Sequence, residues 1–253
     1  MIFSDINNGR FYNEDCFDAM KKIPDNVIDM ILADLPYGTT AAKWDSVLPL
    51  IELWNEYFRV CKENAAIVLT CSQPFTSQLI MSQISNFKYC WVWNKVNKFT
   101  GALNAKIMPM VDYEDIAVFY KKQCVYNPQL RKGSYVTRHT RGDRNTATLG
   151  KSNKIPDVGR QVNGLQPGRI ISFEGNDTTK NSIHPTKKPV SLFEYLIKTY
   201  TNENDLILDN TAGSGTTAIA AMNTNRKWVC IEKEKEYYDK AIERIKNHQI
   251  VWK

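Results

Sequence analysis

The chain has 253 residues and a mass of 29.1 kDa, the size of one large domain or of one domain with a sizeable insertion. Apolar residues make up 43% and charged residues 24% at a net charge of +6, which excludes a disordered chain, and no apolar run approaches the ~18–20 residues of a membrane-spanning helix. The N-terminus lacks the basic and apolar regions of a signal peptide, and the six cysteines form no C-x-x-C pair, so we expect an intracellular protein without disulfides or a metal site.

Strand-like and helix-like patterns alternate along the first 120 residues and again after residue 182. Continuous β-branched runs predict buried strands, and apolar residues at helical spacing predict the helices between them. The predicted strands are 10–13, 27–33, 65–70, 89–93, 115–120, 206–208 and 227–231, and the predicted helices are 17–22, 47–62, 75–84, 190–200, 215–223 and 234–247. The alternation predicts an α/β fold with a doubly wound, mostly parallel sheet.

The segment 121–182 interrupts this pattern and holds most of the positive charge. It contains twelve Lys and Arg against four Asp and Glu, a net charge of +8, together with seven of the twelve glycines. Basic residues concentrated on a loop-rich insertion are typical of a surface that contacts a phosphate backbone. A solvated surface insertion is the alternative that charge alone leaves open.

A glycine-rich turn, DNTAGSGTT at 209–217, follows the predicted strand 206–208. Such a turn lets backbone approach a ligand closely at the carboxyl edge of the sheet. The third glycine of the dinucleotide fingerprint is missing, which argues against a pyrophosphate ligand. Glu232 ends the next strand, where a carboxylate can accept hydrogen bonds from ribose hydroxyls. A nucleoside cofactor without a pyrophosphate fits these features, and S-adenosylmethionine is one.

A second motif, DLPY at 34–37, follows the predicted strand 27–33. It resembles the catalytic motif of β-class amino-group DNA methyltransferases, in which Asp, Asn or Ser precedes Pro-Pro and an aromatic residue; Leu35 takes the place of the first Pro. The segments HPTKKP at 184–189 and YEDIAVF at 113–119 also resemble this family. The order of catalytic motif, basic insertion and cofactor motif is that of the β-class, and the resemblance spans nearly the whole chain outside the insertion.

The resemblance implies a site-specific adenine-N6 DNA methyltransferase with a Rossmann-like, S-adenosylmethionine-dependent sheet. It divides the chain into a catalytic half (1–120), a target-recognition insertion (121–182) and a cofactor-binding half (183–253). The expected partner is double-stranded DNA, without metal or membrane, and a homodimer is the expected form of pairing, although the oligomeric state stays open. The expected DNA contacts in the insertion are Arg131, Lys132, Arg138, Arg141 and Arg144.

The catalytic roles follow from the chemistry of exocyclic amines, whose nitrogen lone pair is delocalised into the base. Asp34 would accept one N–H hydrogen bond and the backbone carbonyl of Leu35 the other, which frees the lone pair for the incoming methyl group. Pro36 would stiffen the turn. Tyr37 would offer a ring on which an extruded base stacks, a contact worth about 1–3 kcal/mol.

The resemblance also assigns the cofactor contacts: Asp15, Lys188, Asp209, Asn210, Ala212, Gly213, Gly215, Thr216 and Glu232. Asp15 would meet the adenine amine of the cofactor, with a helix N-cap as the alternative. Lys188 would lie near the cofactor's carboxylate, with a solvated lysine as the alternative. Asn210 and Thr211 replace the Pro-Phe usual in the family, which removes an aromatic contact.

Two alternatives stay open. Asp at position 34 favours adenine, because the Ser-Pro-Pro-Tyr form of the motif is usually associated with cytosine in this family; N4-methylation of cytosine is therefore the second option. The departures at Leu35, Asn210 and Thr211 keep a catalytically weak, DNA-binding relative as the third.

Overall fold

The computed structural model describes residues 2–6, 8–39, 45–96, 98–136, 161–174 and 187–248. The chain forms two compact units, one of residues 1–127 with 169–253 and a smaller one of residues 128–168. The smaller unit lies within the predicted insertion 121–182 and is narrower than it. Three of the expected DNA contacts, Arg138, Arg141 and Arg144, lie outside the described residues, as do residues 184–186 of the HPTKKP segment.

The larger unit is built on a nine-stranded sheet in the order β1-β2-β11-β10-β3-β4-β6-β5-β9. In chain order the strands, with two in the smaller unit (β7 and β8), are β1 (Ile2–Ile6), β2 (Gly9–Asn13), β3 (Ile28–Asp34), β4 (Cys61–Cys71), β5 (Phe87–Asn94), β6 (Tyr113–Phe119), β7 (Arg131–Val136), β8 (Gln161–Leu165), β9 (Ile170–Ser172), β10 (Leu206–Asp209) and β11 (Lys227–Glu232). Strands β2, β11, β10, β3 and β4 are parallel to one another, whereas β1, β6 and β5 introduce antiparallel pairs.

Six helices of the described chain cover both faces of this sheet. They are α1 (Cys16–Met20), α2 (Leu50–Val60), α3 (Phe75–Ser82), α4 (Val190–Tyr200), α5 (Thr216–Asn223) and α6 (Lys235–Lys246). Side chains of β3 alternate between the two faces: Met30 and Leu32 pack with α4, α5 and α6, while Ile31 and Ala33 pack with α1, α2 and α3. This is why the strand reads as a continuous apolar run, and the doubly wound α/β prediction is confirmed.

Most differences from the predicted elements lie at the sheet edges and in the insertion. The predicted helix 47–62 is also wrong at its ends, because α2 covers Leu50–Val60 and β4 begins at Cys61. Strand β1, which pairs antiparallel with β2, is not among the predicted strands, because its sequence IFSDI has neither a continuous apolar run nor a strict alternation of apolar and polar residues. Strand β9, inside the predicted insertion, pairs with β5 of the main sheet through residues Ile170, Ile171 and Ser172. The smaller unit contains the antiparallel hairpin of β7 and β8, a strand pair that the basic, glycine-rich composition concealed.

Candidate active site

The two sequence motifs meet at one edge of the sheet because β3 and β10 are neighbouring parallel strands, with Leu208 paired to Ile31. Parallel strands present their carboxyl ends at the same edge, where α/β folds bind ligands. The motif at 34–37 and the turn at 209–217 are joined there directly: the Thr211 hydroxyl donates a hydrogen bond to the backbone carbonyl of Asp34 at 3.1 Å. Thr211 stands where the family usually has Phe, so this departure links the two loops.

A cavity of about 190 Å³ opens between these loops. It brings together residues from both ends of the chain, including Asp34 and Pro36 of the first motif and Gly213 and Glu232 of the second. Its lining consists of Asp15, Cys16, Asp34, Pro36, Ser46, Leu48, Asn210, Thr211, Gly213, Glu232, Lys233, Glu234 and Tyr237. Of the expected cofactor residues, Asp15, Asn210, Gly213 and Glu232 therefore line the cavity, whereas Lys188, Asp209, Ala212, Gly215 and Thr216 are absent from the lining.

The Asp34 carboxylate is fixed by three donors. Its Oδ1 accepts hydrogen bonds from the Tyr37 hydroxyl, at 2.8 Å, and from the Thr70 hydroxyl. Its Oδ2 accepts from the Lys188 ammonium at 2.7 Å. A carboxylate has about four lone-pair sites, so one acceptor position remains on Asp34 for a further donor. The group is held in a single orientation and is still able to bind one N–H.

Lys188 belongs to a chain of alternating charges under the active-site edge. Its ammonium also lies 3.2 Å from Oε2 of Glu114, and Oε1 of Glu114 lies 2.8 Å from the ammonium of Lys95. Burial disfavours the charged ammonium, but the carboxylates of Asp34 and Glu114 outweigh that penalty and raise the pKa of Lys188. Lys188 therefore stays protonated and keeps its hydrogen bond to Asp34.

The rest of the DLPY motif anchors the loop. The Leu35 side chain is buried in the core on the α1–α3 side of the sheet, so it replaces the rigidity of the usual Pro by packing. The Tyr37 ring stacks on Phe75, with centroids 5.5 Å apart and planes 21° apart. Burial, with the nearby charge of Asp34, raises the pKa of Tyr37 well above its ordinary value, which keeps its hydroxyl a donor.

The glycine-rich turn is shaped for close approach to a ligand. Gly213 and Gly215 have φ values of 49° and 74°, in the left-handed region that favours glycine. The Gly213 amide donates to Oε2 of Glu232 at 2.8 Å, and Oε1 of Glu232 accepts from the Glu234 amide at 2.8 Å. Partial burial raises the pKa of Glu232. Glu232 thus holds the turn and also faces the cavity.

Asp209 lies beneath the turn as a buried carboxyl. Its Oδ1 accepts from the Thr211 amide at 3.1 Å, and its Oδ2 accepts from the Thr217 hydroxyl. Burial raises its pKa to about 7, although these two donors oppose the shift. A cation placed in the cavity would favour the ionised form of this group.

The remaining cofactor candidates have structural partners. Asp15 is the N-cap of α1, accepting from the Phe17 amide at 3.0 Å, and its other oxygen lies 3.4 Å from Lys233. The N-cap alternative is therefore present, and the same residue lines the cavity. Asn210 accepts a hydrogen bond from the Tyr57 hydroxyl at 2.6 Å.

Helix α6 holds the last residues of the glycine-rich turn at 209–217. Arg244 donates to the Ser214 carbonyl at 2.8 Å and reaches the Thr216 hydroxyl at 3.2 Å, and burial lowers the pKa of this guanidinium to about 10. Ala212 is buried, and the Gly215 amide donates to its carbonyl. These residues shape the turn from behind.

The cavity is acidic. Four carboxyl residues, Asp15, Asp34, Glu232 and Glu234, line it against one lysine, Lys233. Such a lining repels a pyrophosphate and attracts a cation. A sulfonium with a nucleoside part fits this donor set, because Gly213 offers close backbone approach and Glu232 a carboxylate acceptor.

In the smaller unit, the described DNA-contact candidates are Arg131 and Lys132 of β7, and both are exposed. The Arg131 guanidinium donates to the Gln166 carbonyl at 3.1 Å, which closes the hairpin. Their role toward DNA stays a prediction.

Sequence reasoning missed three residues of the site. Thr70, the last residue but one of β4, is paired with Asp34 in the sheet register. Lys95 directly follows β5, and Glu114 is the second residue of β6. For Glu114 and Lys95 the available signal was charge: an acid near the start of β6, whose later residues are apolar, and a Lys directly after β5 are costly to bury unless they are paired. Which residues they pair with depends on the order of the strands in the sheet, and the sequence pattern does not predict that order.

Two further findings concern the described part of the chain alone. None of its helices combines the length and the apolar character needed to span a bilayer. Within the same residues, no group of three or more His, Cys, Asp or Glu side chains could hold a metal ion.

Comparison with known proteins places this geometry in context. Residues 28–243 match the family model for DNA methylases of the N6 and N4 type. DNA adenine methyltransferase YhdJ of Escherichia coli K12 is 28% identical over 261 residues, covering 93% of this chain and 84% of that protein. The complex of M1.HpyAVI with SAM superposes with a TM-score of 0.62 at 26% identity, over 93% of this chain and 99% of that one. The cytosine-N4-specific PvuII DNA methyltransferase has a TM-score of 0.69 at 15% identity, over 96% and 87%, a likeness of fold.

Proposed function

Since the chain belongs to the DNA methylase family, we propose that it transfers a methyl group from S-adenosylmethionine to the N6 amine of a flipped adenine in double-stranded DNA. One observation carries this proposal: a carboxylate with three fixed donors and one vacant acceptor position, Asp34, lines the same cavity as the glycine turn and Glu232. An amine that donates to Asp34 would therefore lie beside the cavity proposed to hold the cofactor.

The chain's own residues hold and orient both reactants. Gly213 and Glu232 would hold the nucleoside part of the cofactor, and the acidic lining would favour its positive charge. S-adenosylmethionine, when bound, supplies an electrophilic methyl group on its sulfonium. Asp34 would accept one N–H of the target amine and the Leu35 carbonyl the other, which localises the nitrogen lone pair. In the transfer the new N–C bond would form as the methyl–sulfur bond breaks, with the electron pair left on the departing thioether. The surplus proton of the methylated amine would then leave to solvent through the hydrogen bond with Asp34. Holding the two reactants in line would supply a large share of the rate.

Tyr37 supports the same proposal from the side of the base. The Tyr37 ring stacks on Phe75, and the Tyr37 hydroxyl donates a hydrogen bond to Asp34. The ring therefore has a fixed orientation relative to the Asp34 carboxylate. An extruded base stacked on Tyr37 would present its exocyclic amine to Asp34, with about 1–3 kcal/mol gained from stacking. Pro36, which lines the cavity, limits movement of the loop between them.

Adenine is the proposed target because position 34 is Asp and because YhdJ, a relative over most of the chain, is a DNA adenine methyltransferase. N4-cytosine is the second candidate, and the observation that favours it is the fold shared with PvuII methyltransferase. Arg131 and Lys132, with Arg138, Arg141 and Arg144, are proposed to contact the DNA backbone. We propose further that the protein acts in the bacterial cytoplasm and that it pairs as a homodimer.

The experiment that tests this proposal is modified-base sequencing of genomic DNA from a methylation-free host expressing the wild-type chain or Asp34→Asn. We expect N6-methyladenine at one short motif with the wild type and none with the variant. N4-methylcytosine in its place would support the second candidate, and unmodified DNA with the wild type would contradict both.

A further inference from the structure

The connection between β5 and β6, residues 98–112 and here called the apolar loop, exposes a cluster of large apolar side chains. Leu103 is fully exposed and Ile107 is 83% exposed. The other large apolar side chains exposed on the loop are Phe99, Met108, Met110 and Val111. Scattered single exposed residues need no explanation, but a cluster on one loop marks an interaction surface.

The apolar loop has defined internal structure. Thr100 and Val111 form an antiparallel bridge, with N–O distances of 2.8 and 3.0 Å, which closes its base. A 3-10 turn at Ala102–Asn104 carries Leu103, and the Ile107 amide donates to the Asn104 carbonyl at 2.9 Å. The apolar side chains are therefore presented by a preformed turn, and little ordering entropy has to be supplied when they bind.

The sheet register places the apolar loop beyond the catalytic carboxylate. Asp34 pairs with Thr70, Thr70 with Ile116, and Ile116 with Trp91, so these four residues form one row across the sheet. Strand β6 is antiparallel to β4, so its N-terminal end points toward the edge where β3 and β4 end. The loop ends at Asp112, four residues before Ile116, which at about 3.3 Å per residue is about 13 Å past the row of Asp34. The apolar loop therefore lies at the same edge of the sheet as Asp34, the edge at which a duplex would deliver a base to Asp34.

The charge of the apolar loop selects among possible partners. It carries Lys98 and Lys106 against one acid, Asp112. Apolar side chains flanked by lysines suit DNA, in which phosphates surround a stack of apolar base faces. The same loop from a second copy would bring like charges together, which disfavours self-association through this surface.

We propose that the apolar loop is a wedge: Leu103 and Ile107 enter the duplex beside the target nucleotide and occupy the space that the flipped base leaves in the stack. This inference rests on the proposed function and deepens it by naming the surface that opens the duplex. Leu and Ile are among the side chains that proteins insert between base steps. Extruding a base costs the free energy of its pairing and stacking. Inserted apolar side chains offset part of this free energy, because they pack against the base faces that the flipped base leaves exposed.

The test uses a double variant, Leu103→Ala with Ile107→Ala, and a matched control, Met81→Ala. Met81 is 70% exposed in the last turn of α3, a helix that begins at the catalytic edge and runs away from it. All of these side chains are exposed, so we expect the folded state to persist, with unchanged thermal midpoints. Single-turnover methyl transfer is measured on a duplex containing the motif read by modified-base sequencing, and on the same duplex with a mismatch opposite the target base.

On the matched duplex we expect the double variant to lose about tenfold or more in rate, because it has to extrude the base without compensation. On the mismatched duplex, whose target is already unpaired, the loss should shrink to about threefold or less. The Met81→Ala control should match the wild type on both substrates.

Equal losses on both duplexes, or no loss on either, would overturn the wedge. Sedimentation of wild type and double variant adds a further check: a wild-type dimer that dissociates on loss of these side chains would assign the surface to a second copy and also overturn it. Failure of the proposed function is distinguishable, because then the wild type transfers no methyl group to any duplex.

Discussion

Replacing Lys188 by Met tests what holds the Asp34 carboxylate. The ammonium lies 2.7 Å from Asp34 and 3.2 Å from Glu114 and is 7% exposed. Removing one partner of a buried ion pair costs about 3–5 kcal/mol. Because Glu114 keeps Lys95, we expect the lower end, about 3 kcal/mol, and hence a fall in thermal midpoint of about 6–12 °C for a unit of this size.

The kinetic consequence separates two roles for Lys188. If it positions Asp34, loosening the carboxylate should lower the single-turnover rate about 100-fold, while the Kd for S-adenosylmethionine changes by less than about threefold. If instead it holds the cofactor's carboxylate, as the motif resemblance predicts, the Kd should rise and the rate at saturating cofactor should stay. The matched control is Lys198→Met, an exposed lysine of α4. Calorimetric cofactor titration and rapid-quench methyl transfer give both numbers, and a raised Kd with an unchanged rate would refute the positioning role.

Three further predictions concern the cofactor side and the insertion. Because the pKa of Asp209 is raised to about 7 in the folded protein, its contribution to stability is present below its ordinary pKa and is lost as pH rises through about 7. In urea unfolding, the free energy of unfolding of Asp209→Asn should therefore rise relative to that of the wild type by up to about 3 kcal/mol between about pH 5 and pH 8. A difference between the two proteins that does not change with pH would contradict the raised pKa. Glu232→Ala frees the Gly213 amide and should weaken cofactor binding about tenfold or more; calorimetry showing unchanged affinity would remove Glu232 from the cofactor site. A variant with four basic residues of the insertion neutralised tests the DNA surface; they are Arg131, Lys132, Arg138 and Arg141. The slope of log K against log salt concentration for DNA binding should become shallower by about 3.6. An unchanged slope would place the DNA surface elsewhere.

Much of the site follows from local sequence. A buried strand that ends in Asp34 and another that ends in Asp209 predict that both loops lie at the carboxyl edge, since parallel strands share that edge. The left-handed φ values of Gly213 and Gly215 likewise explain why the turn needs glycine. Both features depend on residues adjacent in the chain, and therefore on patterns that periodicity and turn chemistry reveal.

The charge chain beneath Asp34 could not be predicted in the same way. It joins positions 34, 95, 114 and 188, whose proximity depends on β6 running antiparallel between β4 and β5. Thr211 gives a second example: as a departure from the family's Phe it reads as a lost contact, whereas its hydroxyl makes a new bond to the Asp34 carbonyl. Side-chain partners across the sheet follow from strand order and register, and motif spacing contains neither.

We propose that Asp34 and the cavity that would hold the cofactor act on the same amine, and two measurements on one variant decide whether they do. On purified Asp34→Asn, the single-turnover rate of methyl transfer to cognate DNA and the Kd for S-adenosylmethionine are determined on the same preparation. Asn keeps the shape of the side chain but loses the charge that Lys188 binds and one strong acceptor. We predict a rate at least about 1000-fold below the wild type, with a Kd within about threefold of it. A variant that keeps most of the wild-type rate would show that Asp34 is not the group that binds the target amine.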